Sequence, residues 1–259
     1  MNIKAKKSLG QNFLEDESVL KKIANSVTTK ENDLIIEIGP GKGALTKYLK
    51  QKKGFLICYE LDQRLKETLK KMEDTKTKII FKNFLQADII KDSECFDYEN
   101  IYIIANIPYY ITTPIIKHVM DLEKLKSMTI LVQKEVAERL TANPGTKAYG
   151  SLTVYLNYYF NIKCLFNVSK YAFNPIPNVE SAVINFTRIK EKITVKNEAI
   201  FFKLIEDAFK MKRKTLKNNL KTYNWNQVKE VLKEKNLSED IRAENLSLES
   251  FAAIANHLS

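Results

Sequence analysis

Two clusters of residues in this 259-residue chain have the types and spacing to do chemistry. The first, Glu37-Ile-Gly-Pro-Gly-Lys-Gly43, sets glycines at alternate positions directly after the apolar pair Ile35-Ile36. Glycine is needed where a backbone turns sharply and comes close to a ligand. The third glycine comes one residue earlier than in the G-x-G-x-x-G turn of dinucleotide enzymes, and the acid, Glu37, precedes the glycines. That arrangement suits a ligand with an amino-acid tail better than a pyrophosphate. Two more acids follow at later run ends. Glu60, in Cys58-Tyr59-Glu60-Leu61-Asp62, can accept both hydroxyls of a ribose. Asp88, in Gln86-Ala87-Asp88-Ile89, can accept the amino group of an adenine. Each feature alone also reads as a plain turn, a loop acid or a helix cap; the series reads as a nucleoside cofactor site.

The second cluster is Asn106-Ile-Pro-Tyr109. The exocyclic amine of adenine is a poor nucleophile, because its lone pair is delocalised into the ring. An Asn side-chain oxygen and a backbone carbonyl can accept its two hydrogens and turn the lone pair toward an electrophilic methyl group. Pro108 fixes the turn and removes a competing donor, and Tyr109 can stack on the base. No strong general base is needed, because the methylated ammonium product is acidic. Together the clusters imply methyl transfer from S-adenosyl-L-methionine to adenine N6. No cysteine stands in the Pro-Cys setting that attacks pyrimidine C6, which disfavours covalent cytosine chemistry.

These residues need a scaffold that presents strand ends. Apolar, β-branched runs at Leu34–Ile38, Phe55–Glu60, Lys78–Phe81, Ile101–Asn106 and Met128–Val132 read as buried strands. Helical patterns at Ala44–Lys53, Asp62–Glu73 and Thr113–Leu125 alternate with them. Such alternation predicts an α/β fold, a parallel sheet with helices on both faces. Ile162–Val168 and Ser181–Ile189 read as a further, hairpin-like antiparallel pair. Tyr149–Phe160 fits either strand or helix. Beyond Arg188 only amphipathic helical patterns remain, among them Phe201, Leu204, Ile205, Ala208 and Phe209 on one face. The expected division is a methyltransferase domain over residues 1–190 and a small all-helical domain over 191–259.

Composition bounds the rest. The net charge is +11, carried mostly by lysine, which favours a polyanionic partner such as nucleic acid. Lys210, Lys212, Arg213, Lys214, Lys217 and Lys221 fall in a stretch without an acid, which reads as a phosphate-tracking surface or a solvated helix face. Lys4, Lys6 and Lys7 form a second, weaker patch, expected to be a flexible arm. Cys58, Cys95 and Cys164 are scattered in apolar contexts and are expected to be reduced core thiols. The two histidines, His118 and His257, have no partner at metal-ligand spacing, so no metal is expected. No run suits a membrane helix or a signal peptide, and the expected location is cytoplasmic.

With both clusters placed, the chain closely resembles the ribosomal RNA adenine N6,N6-dimethyltransferase family, and within it the small-subunit housekeeping branch. The resemblance is carried by Leu9-Gly-Gln-Asn-Phe-Leu14, by the glycine turn, by Asn106-Ile-Pro-Tyr-Tyr-Ile-Thr-Thr-Pro114 and by Val132-Gln-Lys-Glu-Val-Ala-Glu-Arg-Leu140. It continues through Tyr149-Gly-Ser-Leu152, Phe173-Asn-Pro-Ile-Pro-Asn-Val-Glu-Ser-Ala182 and Lys212 to Leu220. It implies a Rossmann-like class I methyltransferase sheet and a helical Tyr149–Phe160. It implies a cofactor site of Gln11, Asn12, Leu14, Gly39, Gly41, Glu60, Leu61, Asp88, Ile89 and Asn106. Phe173 would stack on the flipped target base opposite Tyr109. The implied substrate is two adjacent adenosines in a hairpin near the 3′ end of small-subunit rRNA, within an assembling 30S particle. The expected RNA-binding residues are Lys210, Lys212, Arg213, Lys214 and Lys217, and the enzyme is expected to act as a monomer. Two alternatives stand beside this: the large-subunit antibiotic-resistance branch, and an assembly factor whose methyltransferase site is vestigial.

Overall fold

The structure, a computed structural model, describes residues 4–6, 10–106 and 111–259. In chain order the elements begin with a short strand β1 (Phe13–Leu14) and helix α1 (Glu17–Asn25). Asp16 caps α1 by accepting the N–H groups of Ser18 and Val19. There follow β2 (Asp33–Ile38), α2 (Thr46–Leu49), β3 (Phe55–Glu60), α3 (Lys66–Lys70), β4 (Thr77–Phe81), α4 (Ile89–Asp92), β5 (Asn100–Asn106) and α5 (Thr112–Val119). Next come β6 (Leu125–Gln133), α6 (Lys134–Leu140), α7 (Ser151–Tyr159), β7 (Phe160–Val168), β8 (Phe173–Asn174) and β9 (Ser181–Arg188). The chain closes with α8 (Glu198–Ala208), α9 (Leu216–Asn219), α10 (Trp225–Glu234) and α11 (Leu248–Leu258).

Seven strands form one sheet in the order β4-β3-β2-β5-β6-β9-β7. The pairs β2/β3, β3/β4, β2/β5 and β5/β6 are parallel, and β9 runs antiparallel to β6. The chain steps outward from β2 to β4, then crosses back to place β5 on the other side of β2. That reversal opens a crevice at the carboxyl ends of β2 and β5, where open α/β sheets bind ligands. The central strands explain themselves: all six residues of β2 are buried, as a strand covered on both faces requires.

The five parallel strands lie where the sequence pattern puts them. The helices between them are shorter than expected. The 44–53 helix contracts to α2, with turns on either side, and the 62–73 helix to a 3-10 turn at Gln63–Leu65 plus α3. The 113–125 helix ends at Val119, because Leu125 is buried as the first residue of β6, opposite Ile101. The two later strands are sheet neighbours, but β9 inserts between β6 and β7 and pairs with β6 across Ser127–Gln133. They are adjacent, as expected of the pair, and form the last strands of the main sheet.

Contacts divide the chain into two compact units. The first runs through Ala137 and resumes at Lys163–Arg188; the second is Glu138–Ile162 with Ile189–Ser259. The expected division near residue 190 coincides with the second crossing only. The helical unit also takes in α7, because α7 supplies part of its core. Tyr149, Val154 and Tyr158 are buried with Phe201, Leu204, Val228 and Phe251. The Tyr158 ring lies 5.1 Å from that of Phe201, and its hydroxyl donates to Glu198 at 2.8 Å. The core of the first unit is aliphatic, built around Ile35, Leu56, Cys58, Leu65, Ile104 and Leu131. Of the three free thiols only Cys58 is a core group; Cys95 and Cys164 are exposed, and Leu165 beside Cys164 is exposed with it.

Candidate active site

Strand register brings the two sequence clusters together. Ile38 pairs with Ala105 on one side and with Tyr59 on the other, so the ends of β2, β5 and β3 stand side by side. The Gly39 N–H donates to the Tyr59 carbonyl at 2.9 Å, which starts the glycine turn. Gly41 and Gly43 both hold positive φ, +57° and +82°. A Cβ at Gly41 would lie 3.1 Å from the Phe13 ring, and one at Gly43 only 2.6 Å from the Met72 sulfur. The turn needs glycine for both conformation and space.

The turn forms one wall of a cavity of about 180 Å³ in the first unit. Of the residues singled out from sequence, Gln11, Asn12, Leu14, Glu37, Gly39, Gly41, Glu60, Leu61, Asn106 and Phe173 line it. Pro108 and Tyr109 lie outside the described residues. Asp88 and Ile89 do not line it. Asp88 is exposed and caps α4, accepting the Lys91 N–H at 3.1 Å, while Ile89 is buried in the core. The polar residue that follows β4 into the cavity is Asn83, with Phe84 and Leu85 beside it. Its Oδ1 accepts the Leu85 N–H at 3.1 Å. Glu60 is the last residue of β3, Asn83 lies two past β4, and Asp88 lies seven past. Phe13 and Ile111, which lie within the motifs that carry the resemblance, and Ile115 add to the apolar lining.

The acids of this region are buried and held. Glu60 is 5% exposed; one oxygen accepts the Gly41 N–H at 2.9 Å and the other the Asp62 N–H at 2.8 Å. Burial raises its pKa, against those backbone bonds. Glu37 points under the turn, where one oxygen accepts from the Thr46 hydroxyl at 2.7 Å and from the Cys58 thiol at 3.4 Å. Burial pushes its carboxyl up to about 7. Asp62 takes a two-pronged contact from Arg64, at 2.9 Å from Nε and 2.6 Å from Nη2, and a third bond from the Gln11 amide at 2.9 Å. The guanidinium pulls its pKa down to about 2. Gln11 Oε1 in turn accepts the Lys6 N–H at 2.8 Å. Residues 4–6, read from sequence as a flexible arm, are thus tied at Lys6, and the Lys4 carbonyl accepts from Arg64 at 3.4 Å.

The donor set fits a nucleoside with an amino-acid tail. Glu60 is an oriented carboxylate with unused lone pairs for two hydroxyls, the glycine turn admits close approach, and Leu61, half-exposed, offers an apolar face. Among the described residues no cluster of His, Cys, Asp and Glu could hold a metal ion.

The basic segment lies in the helical unit. Lys210, Lys212, Arg213, Lys214 and Lys217 are all exposed. Residues 210–214 form a turn between α8 and α9, not a helix face, because the Asn219 side chain binds the Met211 N–H and the Ala208 carbonyl and pins the loop. Only Lys217 is helical. Lys212 donates to the Lys147 carbonyl at 2.7 Å.

Comparison with known proteins agrees with the site. The family described as ribosomal RNA adenine dimethylase matches residues 2–259. "Ribosomal RNA small subunit methyltransferase A" of Alkaliphilus oremlandii is 41% identical over 99% of this chain and 92% of its own length. The protein of the same name from Enterococcus faecalis is 39% identical over 98% and 90%. Among solved structures, the 23S rRNA methyltransferase ErmE superposes with a TM-score of 0.78 at 23% identity, over 95% of this chain and 99% of that one. A dimethyladenosine transferase from Plasmodium falciparum gives 0.77 at 24%, over 93% and 95%. At such identities these two speak for the fold alone. Fold, cavity and full-length sequence match together make the chain a member of the ribosomal RNA adenine dimethylase family.

Proposed function

We propose that this enzyme uses S-adenosyl-L-methionine to dimethylate N6 of two adjacent adenosines in a hairpin near the 3′ end of small-subunit rRNA. It would act on an assembling small-subunit particle. The observation that carries the reading is the meeting of the glycine turn, Glu60, Asn106 and Phe173 in one cavity at the reversal of strand order. The small-subunit choice over the large-subunit one is supported by the relatives' names, at about 40% identity over nearly the whole chain.

When bound, S-adenosyl-L-methionine supplies the electrophilic methyl group. Glu60 accepts the ribose hydroxyls, and the Gly41 and Asp62 N–H groups that hold it set its direction. Asp88 is the carboxylate proposed to accept the amino group of the cofactor's adenine, and Asn83, which lines the cavity after β4, offers the base a neutral amide, donor as well as acceptor. Gln11, Asn12 and Leu14 close one side of the cavity, fastened through Gln11 to Asp62. Asn106 accepts hydrogens of the target amine and keeps its lone pair free for attack, and Phe173 gives the extruded base an aromatic face. After transfer the ammonium loses its proton to solvent, with no general base required. Exposed Lys210, Lys212, Arg213, Lys214 and Lys217 track RNA phosphates. No helix among the described residues is long and apolar enough to cross a membrane; a cytoplasmic monomer is the proposed form.

The test is methyl transfer from labelled cofactor to small subunits lacking the modification, with nuclease mapping. Dimethyladenosine at two adjacent positions of the small-subunit hairpin is expected. Label on large-subunit rRNA alone would establish the resistance-branch reading. No label, with particle binding intact, would establish the vestigial one.

A further inference from the structure

Seven large apolar side chains among the described residues stay exposed, and three of them, Tyr171, Ile176 and Val179, lie in the single connection that carries Phe173 into the cavity. Tyr171 is the most exposed of the seven, at 74%. A ring so exposed gains little from folding, yet its backbone is fixed. Ser169 caps the turn, with its hydroxyl accepting the Tyr171 N–H at 3.3 Å. The next carbonyl, that of Ala172, accepts the N–H of Glu15 at 2.9 Å and of Asp16 at 3.3 Å. Phe173 then pairs with Leu14. Glu15, Leu14 and Phe173 all line the cavity, so Tyr171 is held at a set distance from it. Lys170 places its ammonium 5.5 Å from the Tyr171 ring centroid. The nearby acids are engaged: Glu180 accepts the Lys170 N–H at 3.1 Å, and Glu15 contacts Lys42 at 3.4 Å and Asn174 at 3.3 Å.

We propose that Tyr171, with Lys170 beside it, is a stacking platform for an unpaired nucleotide flanking the target adenosine of the rRNA. This rests on the rRNA-methyltransferase reading above. An exposed aromatic ring next to a cation is the unit by which single-stranded RNA is held: the ring takes any base face, and the cation takes the adjoining phosphate. A hairpin that gives up one base to the cavity leaves its neighbour unstacked, and Tyr171 replaces the lost stack. Ile176 and Val179 extend the apolar surface along the same connection.

The experiment compares Tyr171→Ala, Tyr171→Phe and, as an exposed apolar control on β7, Leu165→Ala. Methyl transfer to unmethylated small subunits and binding of the naked hairpin by fluorescence anisotropy are measured for each. Tyr171→Ala should raise KM and weaken hairpin binding at least about fivefold. Its kcat should stay within about twofold of wild type, with cofactor affinity by calorimetry unchanged. Tyr171→Phe, which keeps the ring, and Leu165→Ala should match wild type. Wild-type behaviour of Tyr171→Ala in both assays overturns the proposal. So does a defect on particles without one on the naked hairpin, which would assign the surface to a ribosomal protein, or a Tyr171→Phe as weak as Tyr171→Ala, which would assign the effect to the hydroxyl. If wild type methylates small subunits and Tyr171→Ala does so equally, only the platform falls; if wild type methylates none, the functional reading falls and the platform with it.

Discussion

The two units of this protein handle charge in opposite ways. All four carboxylates buried among the described residues, Asp33, Glu37, Glu60 and Asp62, belong to the α/β unit. The helical unit buries an aliphatic and aromatic core with no charged group, and its lysines and arginines face solvent. Burying a charge is costly unless it is bonded, so two carboxylates lining one cavity, Glu37 and Glu60, each with named donors, mark a place where something other than stability is served. Exposed cations cost almost nothing to maintain. The proposed function assigns that surface to RNA.

If that contrast is right, single substitutions should be severe in the α/β unit and mild in the helical one. The largest effect is expected at Asn106, the cavity residue to which the proposed function gives the most direct part in the transition state. Asn106→Ala should slow single-turnover methyl transfer at least about 100-fold, with RNA affinity unchanged. A near-normal rate would remove Asn106 from the chemistry and undo the strand-end reading.

Glu37 tests whether burial carries a thermodynamic cost. Its carboxyl is raised to about 7 in the fold, chiefly by burial, from an ordinary value near 4.5. Above its unfolded value the native state holds a proton that the unfolded chain has lost. The associated stability is therefore complete below about pH 4.5 and falls as pH rises through about 7. The loss between pH 5 and 8 should be about 3 kcal/mol. Glu37→Gln, neutral throughout and still able to accept from Thr46, should flatten that part of the urea-denaturation profile. An unchanged profile would mean the carboxyl titrates normally.

At Glu60 the effect should be smaller and confined to binding. Charge-assisted hydrogen bonds are each worth roughly 1.5–3 kcal/mol, so Glu60→Ala should weaken cofactor affinity at least about tenfold in calorimetry, with the fold retained by circular dichroism. Wild-type affinity would leave Glu60 as a brace for Gly41 alone.

The smallest effect per residue belongs to the helical unit. Each phosphate neutralised contributes about 0.7–0.9 to the log–log salt slope of RNA binding. Replacing Lys212, Arg213, Lys214 and Lys217 with Ala should flatten the slope by up to about three, and leave cofactor affinity untouched. An intact slope would show these side chains to be merely solvated, and would place the RNA on the α/β unit alone.

The chain sequence by itself determined the five parallel strands, the glycine turn and the roles open to Glu60 and Asn106. Each of those is written in contiguous residues: a buried strand must be an apolar run, a turn that approaches a ligand must be glycine, and a strand end is the next residue along. Tertiary structure decided what depends on partners distant in sequence. Asp88 and Asn83 both carry polar side chains, and only the path of the chain after β4 sends one to a helix cap and the other into the cavity. The insertion of β9 beside β6 depends on pairing between residues 48 to 60 positions apart, and the transfer of α7 to the helical unit depends on where Phe201 and Phe251 lie. The Gln11–Asp62 contact joins groups that no local pattern relates. Periodicity reports which face of an element is buried, and is silent about which other element buries it.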